Sequence, residues 1–220
     1  MGKRGDLLKS MLWLLKPVWI QANERLLGIQ TEPKSVLASK GDGLWWQKEP
    51  GALSQYADGT HYASQDYWNV RKMIRTLKPG PEDVFYDIGS GLGRVVCVMA
   101  RRPVRKCVGI ELYQPLCEMA RENAANLRGR RAPIEILCGD AASADLSEGT
   151  LYFLFHPFGE RTMRSMLENI RQSLGKNPRT IRIAYCVPVL DSLFEQAGWL
   201  RKIHQIRLMG GYHASFWQNG

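Results

Sequence analysis

The sequence predicts an α/β fold: a doubly wound, mostly parallel sheet that ends in an antiparallel hairpin and is preceded by an N-terminal helical extension. Three observations carry this expectation. From Val84 onward, strand-like and helix-like segments alternate with short connectors, the pattern of right-handed crossovers with helices on both faces of a parallel sheet. Near the C-terminus the alternation stops, and two strand-like runs follow one another across Gly210-Gly211, a pair suited to a tight turn with positive φ. Residues 1–60 have an irregular texture with scattered tryptophans and a Gly-Asp-Gly turn at 41–43. They are set apart from a core domain over 61–220.

The elements follow in order. The segment His61 to Trp68 precedes a helix running to about Leu77, and reads either as lining for a site or as an N-capped helix start with an aromatic staple into the core. Val84-Phe85-Tyr86-Asp87 reads as a strand, Leu92 to Arg102 as a helix and Lys106 to Glu111 as the next strand. Pro115, in a first-turn position, opens a helix to about Arg128. Ile134 to Cys138 and Thr150 to Phe155 are strands, and Glu160 to Leu174 is a helix. Ile181 to Cys186 is a strand, and a short helix near 190–197 precedes the terminal runs Leu200 to Met209 and Tyr212 to Trp217.

A hydrophobic fraction of 45% and a charged fraction of 23% over 220 residues fit one soluble globular domain and exclude a disordered, collagenous or coiled-coil chain. The net charge of +9 favours weak attraction to anions without naming a partner. The five cysteines are odd in number and lack a Cys-x-x-Cys spacing, so they read as core residues in a reducing compartment. All but Cys117 lie in segments that read as buried. Leu7 to Ile20 is interrupted by Lys9, Lys16 and Pro17, too broken for a membrane span, and no small-residue cleavage site follows it. A cytoplasmic setting is the expectation. The apolar residues from Leu7 to Trp19, Val18 among them, interspersed with Lys3, Arg4, Lys9 and Lys16, suit an amphipathic surface helix. Such a helix serves as a lid or brace on the core, or as a peripheral membrane contact through residues 3–20.

The strongest motif is Asp87-Ile88-Gly89-Ser90-Gly91-Leu92-Gly93, directly after a strand and opening a helix. Glycines there allow a tight turn and close approach of a ligand to the backbone at a positive helix N-terminus. The spacing Gly-x-Gly-x-Gly differs from the dinucleotide fingerprint, and no Gly-Lys-Ser/Thr follows, so a phosphate P-loop is excluded. Glu111 closes the second strand, where a carboxylate can accept from vicinal ribose hydroxyls. Asp140 closes the third in Cys138-Gly139-Asp140-Ala141, where a carboxylate can accept from an exocyclic adenine amine. Taken singly, each acid also suits a helix cap or loop. Together they fall in order at carboxyl ends of strands, where open α/β sheets bind ligands.

On these motifs the chain resembles the class I S-adenosylmethionine-dependent methyltransferases over residues 62–217. The resemblance implies a seven-stranded Rossmann-like sheet with S-adenosyl-L-methionine across the strand ends. It implies that Asp87 and the loop Gly89, Ser90, Gly91 and Gly93 hold the methionine portion, Glu111 the ribose, Leu112 the adenine face, and Asp140 with Ala141 the adenine edge. Asp-Ile-Gly-Ser-Gly-x-Gly-Arg-Val-Val is also similar to the seven-strand lysine methyltransferases, a short match that favours amine acceptors.

The acceptor side is marked by His156-Pro157-Phe158-Gly159 after the fourth strand. Amino-group methyltransferases often carry Asn or Asp-Pro-Pro-Tyr/Phe there. This chain has histidine in place of the amide or acid and glycine after the aromatic. His156 is therefore a candidate base or acceptor of a hydrogen bond, since histidine titrates near neutrality; a helix cap is the alternative. Tyr62 and Ser64, in the segment before the helix that ends at Leu77, are candidates for lining the site. No nucleophilic triad, metal-ligand cluster or carboxylate pair points to other chemistry. The expected function is methyl transfer to an amine or other nucleophile of a protein or small molecule. The alternative is an RNA-binding methyltransferase acting on RNA. Arg101, Arg102 and Arg105, and Arg128, Arg130 and Arg131, fall at helix ends opposite the expected cofactor edge, which speaks against delivery of RNA to the site.

Overall fold

The computed structural model describes the backbone of residues 2–32 and 63–220, with side chains from residue 15 onward within those stretches. Helix α1 (Gly2–Leu27) is followed by α2 (Tyr67–Leu77), β1 (Val84–Ile88), α3 (Arg94–Met99), β2 (Lys106–Glu111) and α4 (Gln114–Asn126). Then come β3 (Ile134–Cys138), β4 (Leu151–Phe155), α5 (Glu160–Lys176), β5 (Arg182–Cys186), α6 (Asp191–Gln196), β6 (Leu200–Arg207) and β7 (His213–Asn219).

The seven strands form one sheet in the order β3-β2-β1-β4-β5-β7-β6. Strands β1 to β5 pair in parallel, and β7 runs antiparallel between β5 and β6. This is the predicted doubly wound sheet with a reversed terminal hairpin. Strand β1 is buried at all five positions, as a strand with neighbours on both sides and helices on both faces requires, whereas the edge strand β3 is mostly half-exposed. One face carries a core built with Ile20, Leu27 and Ile29, Tyr67, Val70 and Ile74 of α2, Val96 and Met99 of α3, and Cys117 and Ala120 of α4. The other is filled from α5 and α6, with Met163, Met166, Ile170 and Phe194. Strand order reverses at β1 and β4, which makes their carboxyl ends the switch point where such sheets open a ligand crevice.

Three sequence expectations change. The helix at the N-terminus passes through Pro17 and continues to Leu27. Among its described side chains, from residue 15 onward, the buried ones are Ile20, Asn23, Glu24 and Leu27, an i, i+3, i+4, i+7 stripe, while Leu15, Val18 and Trp19 are exposed. Val18 and Trp19 are therefore not on that packed stripe; the side chains of the apolar run from Leu7 to Leu14 lie outside the described residues. The terminal hairpin turns through three residues, Met209-Gly210-Gly211, closed by Leu208 N–H donating to the Tyr212 carbonyl at 2.8 Å; both glycines have φ of 83°. Among the cysteines, Cys117 is buried against the core and Cys138, at the end of an edge strand, is the exposed one.

The arginines lie where expected in the sheet. Arg101, Arg102 and Arg105 sit before the start of β2, and Arg128, Arg130 and Arg131 before the start of β3, all at the amino-terminal edge. Among the described residues no helix is long and apolar enough to cross a membrane.

Candidate active site

Strand order places four functional positions side by side: Asp140 after β3, Glu111 at the end of β2, Asp87 near the end of β1 and His156 after β4. With strands about 4.8 Å apart, the row spans about 14 Å along the carboxyl edge. That length suits an extended nucleoside-bearing ligand.

The glycine loop forms the floor. Gly89, Gly91 and Gly93 have φ of 74°, 53° and 80°, values that a side chain rarely tolerates. At Gly89 the constraint is doubled, because an added Cβ would stand 2.4 Å from the Cβ of Pro157. The loop after β1 and the loop after β4 are thus in direct contact. The Gly89 and Ser90 amides both donate to the Ile110 carbonyl at 2.9 Å, which fastens the loop to β2.

Two buried polar atoms in this floor have no partner: Asp87 Oδ2 and Ser90 Oγ. Buried polar groups are nearly always paired, so their lack of partners marks a place prepared for a polar ligand. Burial pushes the Asp87 carboxyl up to about 8, against the pull of the Val96 backbone N–H, and the Glu111 carboxylate pushes it the same way. An ammonium group beside Asp87 and a polar group beside Ser90 would satisfy both, as the amino-acid end of S-adenosylmethionine does. The residues present fit that cofactor. Gly109, opposite Asp87 in the β1–β2 register, makes room for Ser90, since a Cβ there would lie 2.8 Å from Ser90 Oγ. Sequence reading passed over Gly109, although a glycine inside a strand is itself a signal of close approach.

Glu111 is engaged by the backbone. Its Oε2 accepts from the Gly91 N–H at 2.8 Å and its Oε1 from the Tyr113 N–H at 3.0 Å. Burial raises its pKa and these amides lower it. Each carboxylate oxygen keeps a second lone pair, so the side chain holds the loop and still offers acceptors to a ribose. Leu112 is half-buried beside it. Asp140 is exposed and closes its own turn, its Oδ1 accepting from the Ala142 N–H at 2.8 Å; Ala141 is buried in the α5-side core.

His156 has φ of 38°, an uncommon conformation for a residue with a side chain. It is not a helix cap. The N-cap of α5 is Gly159, with no side-chain bond to the helix, and the His156 ring turns to β5, with Nδ1 3.1 Å from Tyr185 Oη. Tyr62 and the turn at 41–43 lie outside the described residues. Ser64 points to Glu32, donating to its Oε1 at 2.6 Å.

Arg94, the first residue of α3, was not singled out by sequence reading. It is 3% exposed. It donates to Thr31 Oγ1 at 2.6 Å, the Gln65 carbonyl at 2.8 Å, Glu32 at 2.7 Å and Glu24 at 3.4 Å, and its guanidinium lies 4.4 Å from the centre of the Tyr67 ring. The residue following the glycine loop thereby ties α1 and the segment before α2 to the cofactor floor. Asn123 of α4 adds a second tie, exchanging bonds with the Gln30 backbone and donating to the Leu92 carbonyl at 2.9 Å.

Comparison with known proteins agrees with this geometry. The family model for histone methylation protein DOT1 matches residues 47–134. A protein-lysine N-methyltransferase of Saccharolobus islandicus is 34% identical over 133 residues, covering 59% of this chain and 74% of the relative. The chain belongs to the class I S-adenosylmethionine-dependent methyltransferases. An H3 lysine-79 specific histone-lysine N-methyltransferase of Drosophila melanogaster is 38% identical over 66 residues, 29% of this methyltransferase and 4% of that protein. In fold it is similar to an RNA methyltransferase of Salinibacter ruber in complex with S-adenosyl-L-homocysteine, at TM-score 0.53 and 24% identity, covering 71% of this chain and 94% of that one. It is also similar to a ribosomal protein L11 methylase of Lactobacillus delbrueckii subsp. bulgaricus, at TM-score 0.56 and 11% identity, covering 71% and 81%.

Proposed function

We propose that this methyltransferase acts on a lysine amine of a protein. The observation that carries this reading is the relative from Saccharolobus islandicus, named for protein-lysine methylation and matched over 74% of its length. Bound in the crevice, S-adenosylmethionine supplies a methyl group already activated by its sulfonium. The chain's own part is then to bind and align. Asp87 and Ser90 hold the amino-acid end, the Gly89–Gly93 loop lets it approach the backbone, Glu111 receives the ribose hydroxyls, and Leu112, Asp140 and Ala141 border the adenine.

The acceptor enters on the His156-Pro157 side, beside β4. The basic residues at the opposite edge of the sheet favour a protein over RNA as the acceptor. Residues 20–32 act as a brace that Arg94 and Asn123 lock to the glycine loop. The five cysteines, all free thiols, suit a reducing compartment.

The test is incubation of the pure protein with methyl-labelled cofactor and cell lysate, followed by separation of label into protein, RNA and small molecules. Label is expected in protein and, after acid hydrolysis, in methylated lysine. Label recovered in RNA or small molecules would overturn the lysine assignment.

A further inference from the structure

We propose that Cys117 and Cys138 form a reversible disulfide when the protein meets hydrogen peroxide or another hydroperoxide, and that this bond lowers affinity for the cofactor. The cross-link is independent of the lysine assignment; its effect on affinity rests on Glu111 and Leu112 receiving the adenosine.

Three observations bring the two thiols together. Cys138 ends β3 in register with Glu111 of β2, and Cys117 lies in the first turn of α4, the helix that follows β2. Along β3 the side chains alternate between faces. Ile134 and Ile136 pack on the core that contains Cys117 and Leu137 on the opposite one, so Cys138 shares the α4 face. The sulfurs then settle on successive carbonyls. Cys117 Sγ donates to the Glu111 carbonyl at 3.2 Å and Cys138 Sγ to the Leu112 carbonyl at 3.8 Å, with the two thiols in hydrogen-bonding reach of each other.

The thiols are unequal. Cys138 is the exposed one of the five cysteines and Cys117 is buried. Burial pushes the Cys117 thiol up from its ordinary value, as does Cys138 beside it, so Cys117 stays protonated and inert on its own. Peroxide therefore meets Cys138 first. The Cys138 thiolate attacks one peroxide oxygen; an S–O bond forms, the O–O bond breaks, and the departing hydroxide takes a proton to become water, leaving a sulfenic acid. The Cys117 sulfur then attacks the Cys138 sulfur. The S–S bond forms, the S–O bond breaks, and the hydroxide leaves with the Cys117 proton as water. The thiols lose two electrons in all, and the peroxide is reduced to two waters. A thiol reductant reverses the bond by exchange.

A disulfide has no S–H to donate. The Glu111 and Leu112 carbonyls both lose their sulfur donors, and the backbone that carries the ribose and adenine contacts is released. By reciprocity, bound cofactor opposes the disulfide by the same factor.

The test uses the full-length protein, hydrogen peroxide and S-adenosylhomocysteine. Peptide mapping without reduction should recover a pair of fragments joined through Cys117 and Cys138, which dithiothreitol separates. Calorimetry on the oxidised protein should show affinity for S-adenosylhomocysteine lower by roughly 3- to 10-fold, the weight of one ordinary hydrogen bond, and restored by dithiothreitol. Cys138→Ser should form no such link and should keep its affinity through the same treatment. Peroxide that carries Cys138 to a sulfinic acid, or links it to a second molecule, without joining Cys117 would overturn the proposal. So would a link that leaves affinity unchanged, or an equal loss of affinity in peroxide-treated Cys138→Ser. Neither readout involves an acceptor, so failure of the lysine assignment leaves this result standing, and the reverse.

Discussion

Asparagine at position 87 is expected to stabilise the ligand-free methyltransferase near neutral pH while crippling cofactor binding. The Asp87 carboxyl is 2% exposed, and burial pushes its pKa up to about 8. In the unfolded chain an aspartate titrates at about 3.9. Between those values the folded protein holds a proton that the unfolded chain has released. Unfolding therefore releases a proton, and stability falls as pH rises through this window, by about 1.4 kcal/mol per unit for one group. Above about pH 8 both states are ionised and the decline stops. Asparagine has no such proton. The stability of Asp87→Asn relative to the parent should thus grow by about 1.4 kcal/mol per unit from about pH 5 to 7 and level off above about 8. Integrated to pH 7 the relief is about 4 kcal/mol. An amide placed at the unpartnered Oδ2 position costs about 1–3 kcal/mol of that, leaving a net gain of about 1–3 kcal/mol, or roughly 2–12 °C in Tm. Urea unfolding at half-unit pH steps without cofactor measures the difference. Calorimetry with S-adenosylhomocysteine should meanwhile show affinity lower by about 1.5–3 kcal/mol, the scale of a hydrogen bond to a charged group. Parallel stability curves for the two proteins across pH 5 to 8 would refute a buried, proton-holding carboxyl at this position.

Glu111→Ala removes acceptors of the Gly91 and Tyr113 amides as well as the ribose site, and should weaken cofactor binding by about 1.5–3 kcal/mol; unchanged affinity by calorimetry rejects the assignment. Arg94→Met strips Glu24 of its buried counter-charge and should cost about 3–5 kcal/mol in urea unfolding, with Glu24→Gln in the same chain recovering part of the loss; no recovery would argue against the ion pair. Leu27→Ala, in the packed stripe of α1, should cost about 2–5 kcal/mol, whereas a cost near zero would deny residues 20–32 the role of brace. Peripheral lipid contact through residues 3–20 predicts salt-sensitive pelleting with anionic vesicles that Trp19→Glu abolishes; full-length protein that stays in the supernatant excludes it.

Much of the sheet was legible in the sequence because its signals are local. The glycine loop, its position between a strand and a helix, and the first-turn Pro115 of α4 all depend on near neighbours. That Asp87, Glu111 and Asp140 fall at carboxyl ends of strands, and that His156 follows the fourth, was legible too. What escaped were contacts across long stretches of chain. Nothing near His156 announces a tyrosine 29 residues on, and the apolar run from Leu7 to Trp19 masked the buried stripe behind it, which includes the polar Asn23 and Glu24. Those two look like surface residues until Arg71 and Arg94 are seen to partner them. The hairpin loop was read one residue short because its glycine pair hid the Met209 that turns with it.

Glu32 and Ser64 stand at either end of residues 33–62, yet their side chains meet at 2.6 Å, and Arg94 grips Glu32 on one flank and the Gln65 carbonyl on the other. Glu32 and Ser64 are therefore the two posts of a single doorway, and the latch on the doorway is the residue that follows Gly93. A substrate that displaced either jamb would pull on the loop that cradles the methyl donor.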